Sequence, residues 1–162
     1  MTMGANKRLL KENAIVDAAY DLFSKLGVNE TTIDEIVRKA GVAKGTFYLY
    51  FHDKYDLLDM VVIRKASALL TQAIEQARNR NFDNRVDRII CFINYIIEAL
   101  TGNRLLTRII HKDLSYSLYQ KVLNDPVRGV RFKQIVTEFE DEIRSCGFHD
   151  DEVRYLLFIL VE

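Results

Sequence analysis

Apolar residues recur every three or four positions along most of the chain, with polar residues between them. This spacing is typical of amphipathic helices, and no run of four or more residues alternates cleanly at the period of a β-strand. Seven glycines and one proline among 162 residues leave few turn signals for an all-β fold. The pattern therefore predicts an all-α protein. The predicted helices cover approximately residues 15–26, 33–40, 43–50, 54–78, 86–100, 105–110, 127–146 and 151–161.

Two short helices with a glycine turn between them stand out in residues 31–54. Thr32 and Glu35 have the spacing of a capping box, which predicts that the first of these helices starts at Ile33. Gly41 ends that helix, and the second begins near Ala43. Two helices joined by a tight, glycine-containing turn are typical of the helix-turn-helix unit, whose second helix enters the major groove of DNA.

The charge pattern of the same segment differs from that of the whole chain. The chain carries 23 basic and 23 acidic residues, so its net charge gives no indication of a nucleic-acid partner. Residues 38–52, in contrast, contain Arg38, Lys39 and Lys44 and no acidic residue. Phosphate groups attract cations, hydroxyls and backbone N–H groups and repel carboxylates, so this stretch is a predicted site of phosphate contact.

Spacing within the second short helix predicts which side chains face outward. Phe47 and Phe51 lie four residues apart and can face the core together, while Lys44 and Tyr48 share an outward face. Gly45 costs the helix up to about 1 kcal/mol relative to alanine, and close approach to DNA would explain that cost. The alternative is that Gly45 permits tight internal packing and that the tyrosines are core residues with exposed hydroxyls.

Taken together, these residues resemble the N-terminal domain of the TetR family of bacterial transcriptional regulators. The resemblance spans about residues 8–58 and is carried by Thr32, Ile36, Val37, residues 40–51, Lys54, Leu57 and Leu58. It implies a three-helix DNA-binding domain, expected at 1–52, followed by a larger helical domain for effector binding and dimerisation, expected at 53–162. It further implies a cytoplasmic homodimer that binds a palindromic operator on double-stranded DNA through the recognition helix at 43–50. Such proteins usually repress transcription and release the operator when a small hydrophobic effector binds.

The resemblance also assigns candidate DNA contacts to residues that cap the second helix, line the recognition helix or open the fourth helix. They are Thr32, Lys44, Gly45, Thr46, Tyr48, Tyr50 and Lys54. The three at 44–46 match the positions nearest the base edges, and the other four match phosphate contacts. Two positions depart from the family pattern. Ala43 has no side-chain oxygen to cap the recognition helix, and Leu49 is apolar, so that it either contacts a thymine methyl or weakens the phosphate contact there.

The helices beyond residue 85 carry more apolar and aromatic residues than one compact face requires. The candidates for an effector pocket are Phe92, Tyr95, His111, Tyr116, Phe132 and Phe139. Ligand pockets are mostly apolar with a few polar groups, which fits this set, but the alternative is that each residue belongs to the core. The apolar segment at 155–161 needs a cover, so we expect that a last helix of the regulatory domain is missing or that a partner subunit packs there.

Several classes of protein do not fit the sequence. It contains no nucleophile elbow, P-loop or HExxH motif, and its histidines are scattered, so we expect neither an enzyme nor a metal site nor a cofactor. No apolar run approaches the ~20 residues of a membrane span, and the N-terminus lacks the apolar part of a secretory signal. The competing hypothesis is a helical dimerisation or co-activator module with weak or partner-dependent DNA binding, which Ala43 and Leu49 favour.

Overall fold

The computed structural model describes residues 3–82, 84–102, 129–145 and 149–151. Within these ranges the secondary structure is entirely helical, which confirms the predicted all-α class. The helices are α1 Met3–Leu26, α2 Ile33–Ala40, α3 Lys44–Phe47, α4 Lys54–Arg78, α5 Arg85–Gly102 and α6 Gly129–Ser145. No helix in the described ranges has both the length and the apolar character that crossing a membrane requires. The helix predicted at 105–110 and nearly all of that at 151–161 lie outside the described residues.

The first helix is longer than its apolar pattern predicts. It starts at Met3 instead of Ile15. Residues 6–11 are all exposed, and their two apolar residues, Leu9 and Leu10, are adjacent and do not have helical spacing. From Ile15 onward α1 buries one face, which includes Phe23, and packs against α2. Gly27 has a φ of 92° and donates its N–H to the Phe23 carbonyl at 3.0 Å, so it ends the helix in the left-handed conformation that glycine tolerates.

Both ends of α2 are fixed by local hydrogen bonds. The predicted capping box is present: the Glu35 N–H donates to Thr32 Oγ1, and the Thr32 N–H donates to Glu35 Oε2 at 2.8 Å. At the other end Gly41 has a φ of 67°, and the N–H groups of Gly41 and Val42 donate to the carbonyls of Arg38 and Val37. This is the Schellman arrangement, which turns the chain sharply before α3.

The recognition helix is shorter than predicted. Regular α-helix covers only Lys44–Phe47, and residues 48–50 continue as turns in which Leu49 and Tyr50 donate to carbonyls three residues earlier. Ala43 occupies the N-cap position without a side-chain hydrogen bond, as its sequence predicts. An uncapped segment that contains a glycine has little intrinsic helical stability, so its conformation depends on packing.

The fourth helix starts at a side-chain cap and continues to the predicted end. Asp53 Oδ1 accepts the N–H groups of Tyr55 and Asp56, both at 2.8 Å, and α4 runs to Arg78. The chain divides into two compact units, Met1–Val61 and Val62–Glu162, so the division falls inside α4. The first unit buries Ile36, Phe47 and Phe51 together with the inner face of α1.

The second unit has a described core built from α4, α5 and α6. Its buried residues are Leu69, Ala73, Ile74, Ala77, Phe92, Ile96, Phe139 and Ile143. The rings of Phe92 and Phe139 lie 4.7 Å apart, which ties α5 to α6. Glu142 on α6 accepts hydrogen bonds from Arg78 and Arg88 at 3.2 and 3.1 Å, so one carboxylate joins all three helices.

We predict a large loss of stability for Phe47→Ala and a negligible change for Leu49→Ala. Phe47 is fully buried, and its truncation should lower the free energy of unfolding by about 3–5 kcal/mol because a cavity replaces the ring. Leu49 is 71% exposed, and its truncation should change that free energy by less than about 0.5 kcal/mol. Urea unfolding of both variants measures the difference, and equal losses would mean that the segment is oriented differently.

Candidate nucleic-acid interface

Residues 43–50, called the recognition segment here, have one buried and one exposed side. Phe47 and Phe51 are buried with their ring centroids 5.7 Å apart, so they hold the segment against the first unit. Three of the predicted DNA contacts, Lys44, Gly45 and Tyr48, face solvent, and so does Leu49. Thr46 and Tyr50 are half-buried. The arrangement thus agrees with the predicted separation of inward phenylalanines from outward lysine and tyrosine.

Gly45 has no internal reason to be glycine. Its φ is not positive, so its backbone does not need a residue without a side chain. A Cβ added there would have no atom within 4 Å, so the residue is not packed against another part of the protein. The internal-packing alternative therefore finds no support, and the open space lies on the exposed side of the segment.

The exposed lysine of the segment is paired with a carboxylate from α2. Lys44 Nζ lies 2.9 Å from Asp34 Oδ1 and 3.0 Å from Asp34 Oδ2. The hydrogen bond to Asp34 raises the pKa of Lys44 above its ordinary value, so the ammonium stays charged. Residues 38–52 contain no acidic residue, but the expectation that no carboxylate lies near this stretch is wrong, because the Gly41 turn brings α2 beside it.

A second lysine of the basic stretch is also paired. Lys39 forms an ion pair with Asp21 of α1, which also accepts a hydrogen bond from Lys25 at 3.1 Å. Hydrogen bonds from Lys39 and then Lys25 lower the pKa of Asp21 below its ordinary value. Arg38 is exposed. Two of the three cations of the stretch therefore have carboxylate partners within the protein.

The two predicted contacts at helix starts have their hydrogen-bond donors engaged inside the protein. The Thr32 hydroxyl donates to Glu35 Oε2 at 2.7 Å, as does the Thr32 N–H, and these bonds lower the pKa of Glu35. Lys54 Nζ donates to the carbonyls of Asn29 and Thr31 at 3.2 and 2.9 Å. A hydroxyl has one proton to donate, so a phosphate would have to displace Glu35 from Thr32. The hydroxyl proton of Thr32 is engaged, as are two of the three ammonium protons of Lys54, and both assignments remain predictions.

Tyr50 contacts a residue that sequence reasoning missed. The Arg8 guanidinium carbon lies 5.7 Å from the centre of the Tyr50 ring, a cation–π distance. Arg8 is exposed near the start of α1, between the exposed lysines Lys7 and Lys11. The cluster of three basic residues in the sequence could have indicated this surface. These residues lie outside the predicted helix, because the apolar spacing that predicts the helix starts only at Ile15.

The predicted effector residues are only partly within the described structure. Phe92 and Phe139 are buried against each other in the core of the second unit. Tyr95 is half-buried, and its hydroxyl donates to Gln72 at 3.0 Å. His111, Tyr116 and the side chain of Phe132 lie outside the described residues. The core alternative thus accounts for Phe92 and Phe139, whereas a pocket remains untested. No group of three potential metal ligands occurs in the ranges that the structure describes.

Comparison with known proteins identifies the family of the N-terminal region. Residues 15–61, which contain α2, α3 and the turn between them, match the family described as bacterial regulatory proteins, tetR family. Residues 15–61 therefore form a tetR-family domain. This confirms the resemblance seen in the sequence, including the helix-turn-helix. A domain from a family of regulatory proteins also agrees with the expectation that the chain is not an enzyme.

Two relatives from Bacillus subtilis each match part of this chain. The uncharacterised HTH-type transcriptional regulator YvdT of Bacillus subtilis is 40% identical over 70 residues, which cover 43% of this chain and 34% of YvdT. The fatty acid metabolism regulator protein of the same organism is 27% identical over 118 residues, which cover 71% of this chain and 59% of that protein. The matched residues thus span less than two thirds of either relative.

Solved structures extend the likeness in fold beyond the N-terminal unit. The transcriptional regulator FadR of Bacillus subtilis, solved in complex with stearoyl-CoA, superposes with a TM-score of 0.60 at 22% identity. The alignment covers 91% of this chain and 79% of that one. At this identity the comparison supports the fold alone, and it agrees with an all-helical tetR-family architecture.

We predict that Lys54→Met lowers the stability of the protein even when no ligand is present. The substitution removes two charge-assisted hydrogen bonds to the loop before α2, and the free energy of unfolding should fall by about 1–3 kcal/mol. Lys11→Met is the matched control, because Lys11 is exposed on α1 and its loss should cost less than about 0.5 kcal/mol. Equal stability of the two variants in urea unfolding would show that Lys54 has no internal role and is available for phosphate.

Proposed function

We propose that the chain is a ligand-responsive transcription regulator that binds operator DNA through the recognition segment. It acts in the cytoplasm as a homodimer on a palindromic operator, and it represses transcription until a small hydrophobic effector binds to the second unit. The tetR-family domain supports the regulatory role. The sign of regulation, the dimer and the effector are part of the proposal.

The observation that carries the DNA-binding proposal is the open space beside Gly45. A glycine in a short helix with negative φ and no packed neighbour lowers helix stability without any internal benefit. Lys44 and Tyr48 flank it on the exposed surface, and they supply a cation and a phenolic hydroxyl. A surface that is free of bulk at its centre and polar at its edges suits close contact with the floor of a major groove.

Leu49 adds an apolar element to the same surface. It is 71% exposed, so its side chain is accessible to a partner. Thymine presents its C5-methyl group in the major groove, and apolar side chains contact that group directly. We therefore assign Leu49 a contact with a thymine methyl, which adds it to the predicted contacts Lys44, Gly45, Thr46 and Tyr48.

The nature of the effector follows from relatives and from composition. One relative is named a fatty acid metabolism regulator, and a structure of similar fold was solved with stearoyl-CoA. Apolar and aromatic residues dominate α5, which fits the mostly apolar lining of ligand pockets. A long apolar molecule is therefore the class of effector to test first on this chain.

The alternative function is a helical dimerisation or co-activator module with weak or partner-dependent DNA binding. The pairing of Lys44 with Asp34 and of Lys39 with Asp21 favours it, because paired cations attract phosphate less strongly. Salt dependence separates the two functions. A regulator that contacts several phosphates loses affinity steeply as salt rises, whereas a module that does not contact DNA shows no such dependence.

We predict that Gly45→Ala strengthens the fold and weakens operator binding. Alanine should raise the free energy of unfolding by up to about 1 kcal/mol, because the added methyl group meets no neighbour and favours the helix. The same methyl group should lower the affinity for an operator, selected from random duplexes with the native chain, by about 1–3 kcal/mol. Thermal unfolding and fluorescence anisotropy measure the two effects.

Gly102→Ala is the matched control for this experiment. Gly102 also lies at a helical position with open space around it, but it belongs to the second unit. Its substitution should leave operator affinity unchanged. If Gly45→Ala binds the operator as tightly as the native chain, the recognition segment is not the DNA-contacting surface. If the native chain selects no duplex at all, the alternative function is favoured.

A further inference from the structure

The Lys44–Asp34 pair lies within the surface that the proposed function assigns to DNA. Lys44 is 53% exposed and Asp34 is 70% exposed, so the pair is open to solvent and to a ligand. Both carboxylate oxygens lie within hydrogen-bond distance of the ammonium nitrogen. An ammonium has three protons to donate, and the contact with Asp34 can engage two of them, so a base or phosphate would compete with Asp34 for these protons.

Capping of α2 does not require Asp34. Thr32 and Glu35 form the complete capping box, while the Asp34 side chain accepts a hydrogen bond from Lys44 across the Gly41 turn. A negative charge in the first helical turn also interacts favourably with the helix dipole, but Glu35 already supplies one in the same turn. The carboxylate itself is therefore explained by its partner more than by its helix.

The pair affects two kinds of DNA contact differently. On random DNA, a lysine gains only attraction to phosphate, and a carboxylate at 2.9 Å both competes for the lysine and repels the phosphate. On a site that places a guanine opposite Lys44, O6 and N7 of the base can accept from the ammonium and replace the carboxylate oxygens. The cost of releasing Asp34 is then offset at the correct site and is not offset elsewhere.

We infer that Asp34 is a specificity-determining residue, which holds Lys44 until a guanine edge replaces it and so suppresses binding to non-operator DNA. This inference rests on the proposed function. In this role Asp34 repels phosphate and competes with it for Lys44. Interactions that disfavour incorrect partners are a recognised route to specificity. Asp34 itself makes no favourable contact with phosphate, so its removal should strengthen binding to DNA in general.

The test compares Asp34→Asn with the native chain on two duplexes, the selected operator and a random sequence of equal length. Anisotropy titrations between about 50 and 200 mM salt give the affinity and its salt dependence. Asp34→Asn should bind the random duplex about three- to tenfold more tightly. The magnitude of its salt slope should rise by about one, because Lys44 gains a phosphate contact. The ratio of operator to random affinity should fall.

Two controls separate the pair from a general effect of charge. Asp17→Asn removes an equal charge from an exposed position on α1 and should change random-duplex affinity by less than twofold. In a Lys44→Ala background, Asp34→Asn should have no more effect than Asp17→Asn, because the residue that it restrains is absent. Circular dichroism and thermal unfolding establish that each variant folds, and Asp34→Ser serves as a second variant if Asp34→Asn does not.

Each outcome bears on a different part of the account. If Asp34→Asn behaves like Asp17→Asn on both duplexes while Gly45→Ala still weakens operator binding, the inference is overturned and the proposed function stands. If Asp34→Asn strengthens binding to the operator and to the random duplex equally, Asp34 acts only through its general negative charge, and the inference that it determines specificity is overturned. If neither the native chain nor Asp34→Asn binds any duplex, the proposed function fails, and this inference fails with it.

Discussion

Burial of Phe47 and Phe51 determines what the recognition segment presents to solvent. Regular helix covers only four residues there, and Ala43 supplies no cap, so the segment has little stability of its own. Burying each phenylalanine contributes about 1.5–3 kcal/mol relative to exposure, which exceeds any local helical preference. Because the two rings anchor the segment, Lys44, Tyr48 and Leu49 are held on its outer side. The proposed DNA contact is thus a consequence of core packing.

Polar residues around the segment divide into those that hold the scaffold and those that remain on its surface. Lys54 and Thr32 use their donors on the loop before α2 and on the capping box. Thr31, which is fully buried, donates its hydroxyl to the Gly27 carbonyl at 2.7 Å and so fixes the same loop. These bonds position α2, and α2 in turn places Asp34 beside Lys44. The chemistry available to DNA is therefore concentrated on the recognition segment.

Sequence reasoning succeeded where the responsible interaction is local. The capping box at Thr32 and Glu35, the turn at Gly41 and the cap at Asp53 each involve residues at most five positions apart, and all three are present. It failed where the partners are distant in the chain, as in the bonds from Lys54 to Thr31, 23 residues away, and from Lys44 to Asp34. The start of α1 was missed because its two apolar residues in the range 6–11, Leu9 and Leu10, are adjacent and do not have helical spacing.

Cross-saturation from DNA protons to the amide protons of the labelled chain, with the selected operator bound, tests most directly whether the recognition segment faces the duplex. The account predicts that saturation is strongest at amides within residues 44–49 and is absent from the exposed apolar positions Val86, Ile90 and Ile97 of α5. Saturation confined to α5 or to other surfaces, with none in the recognition segment, would contradict it.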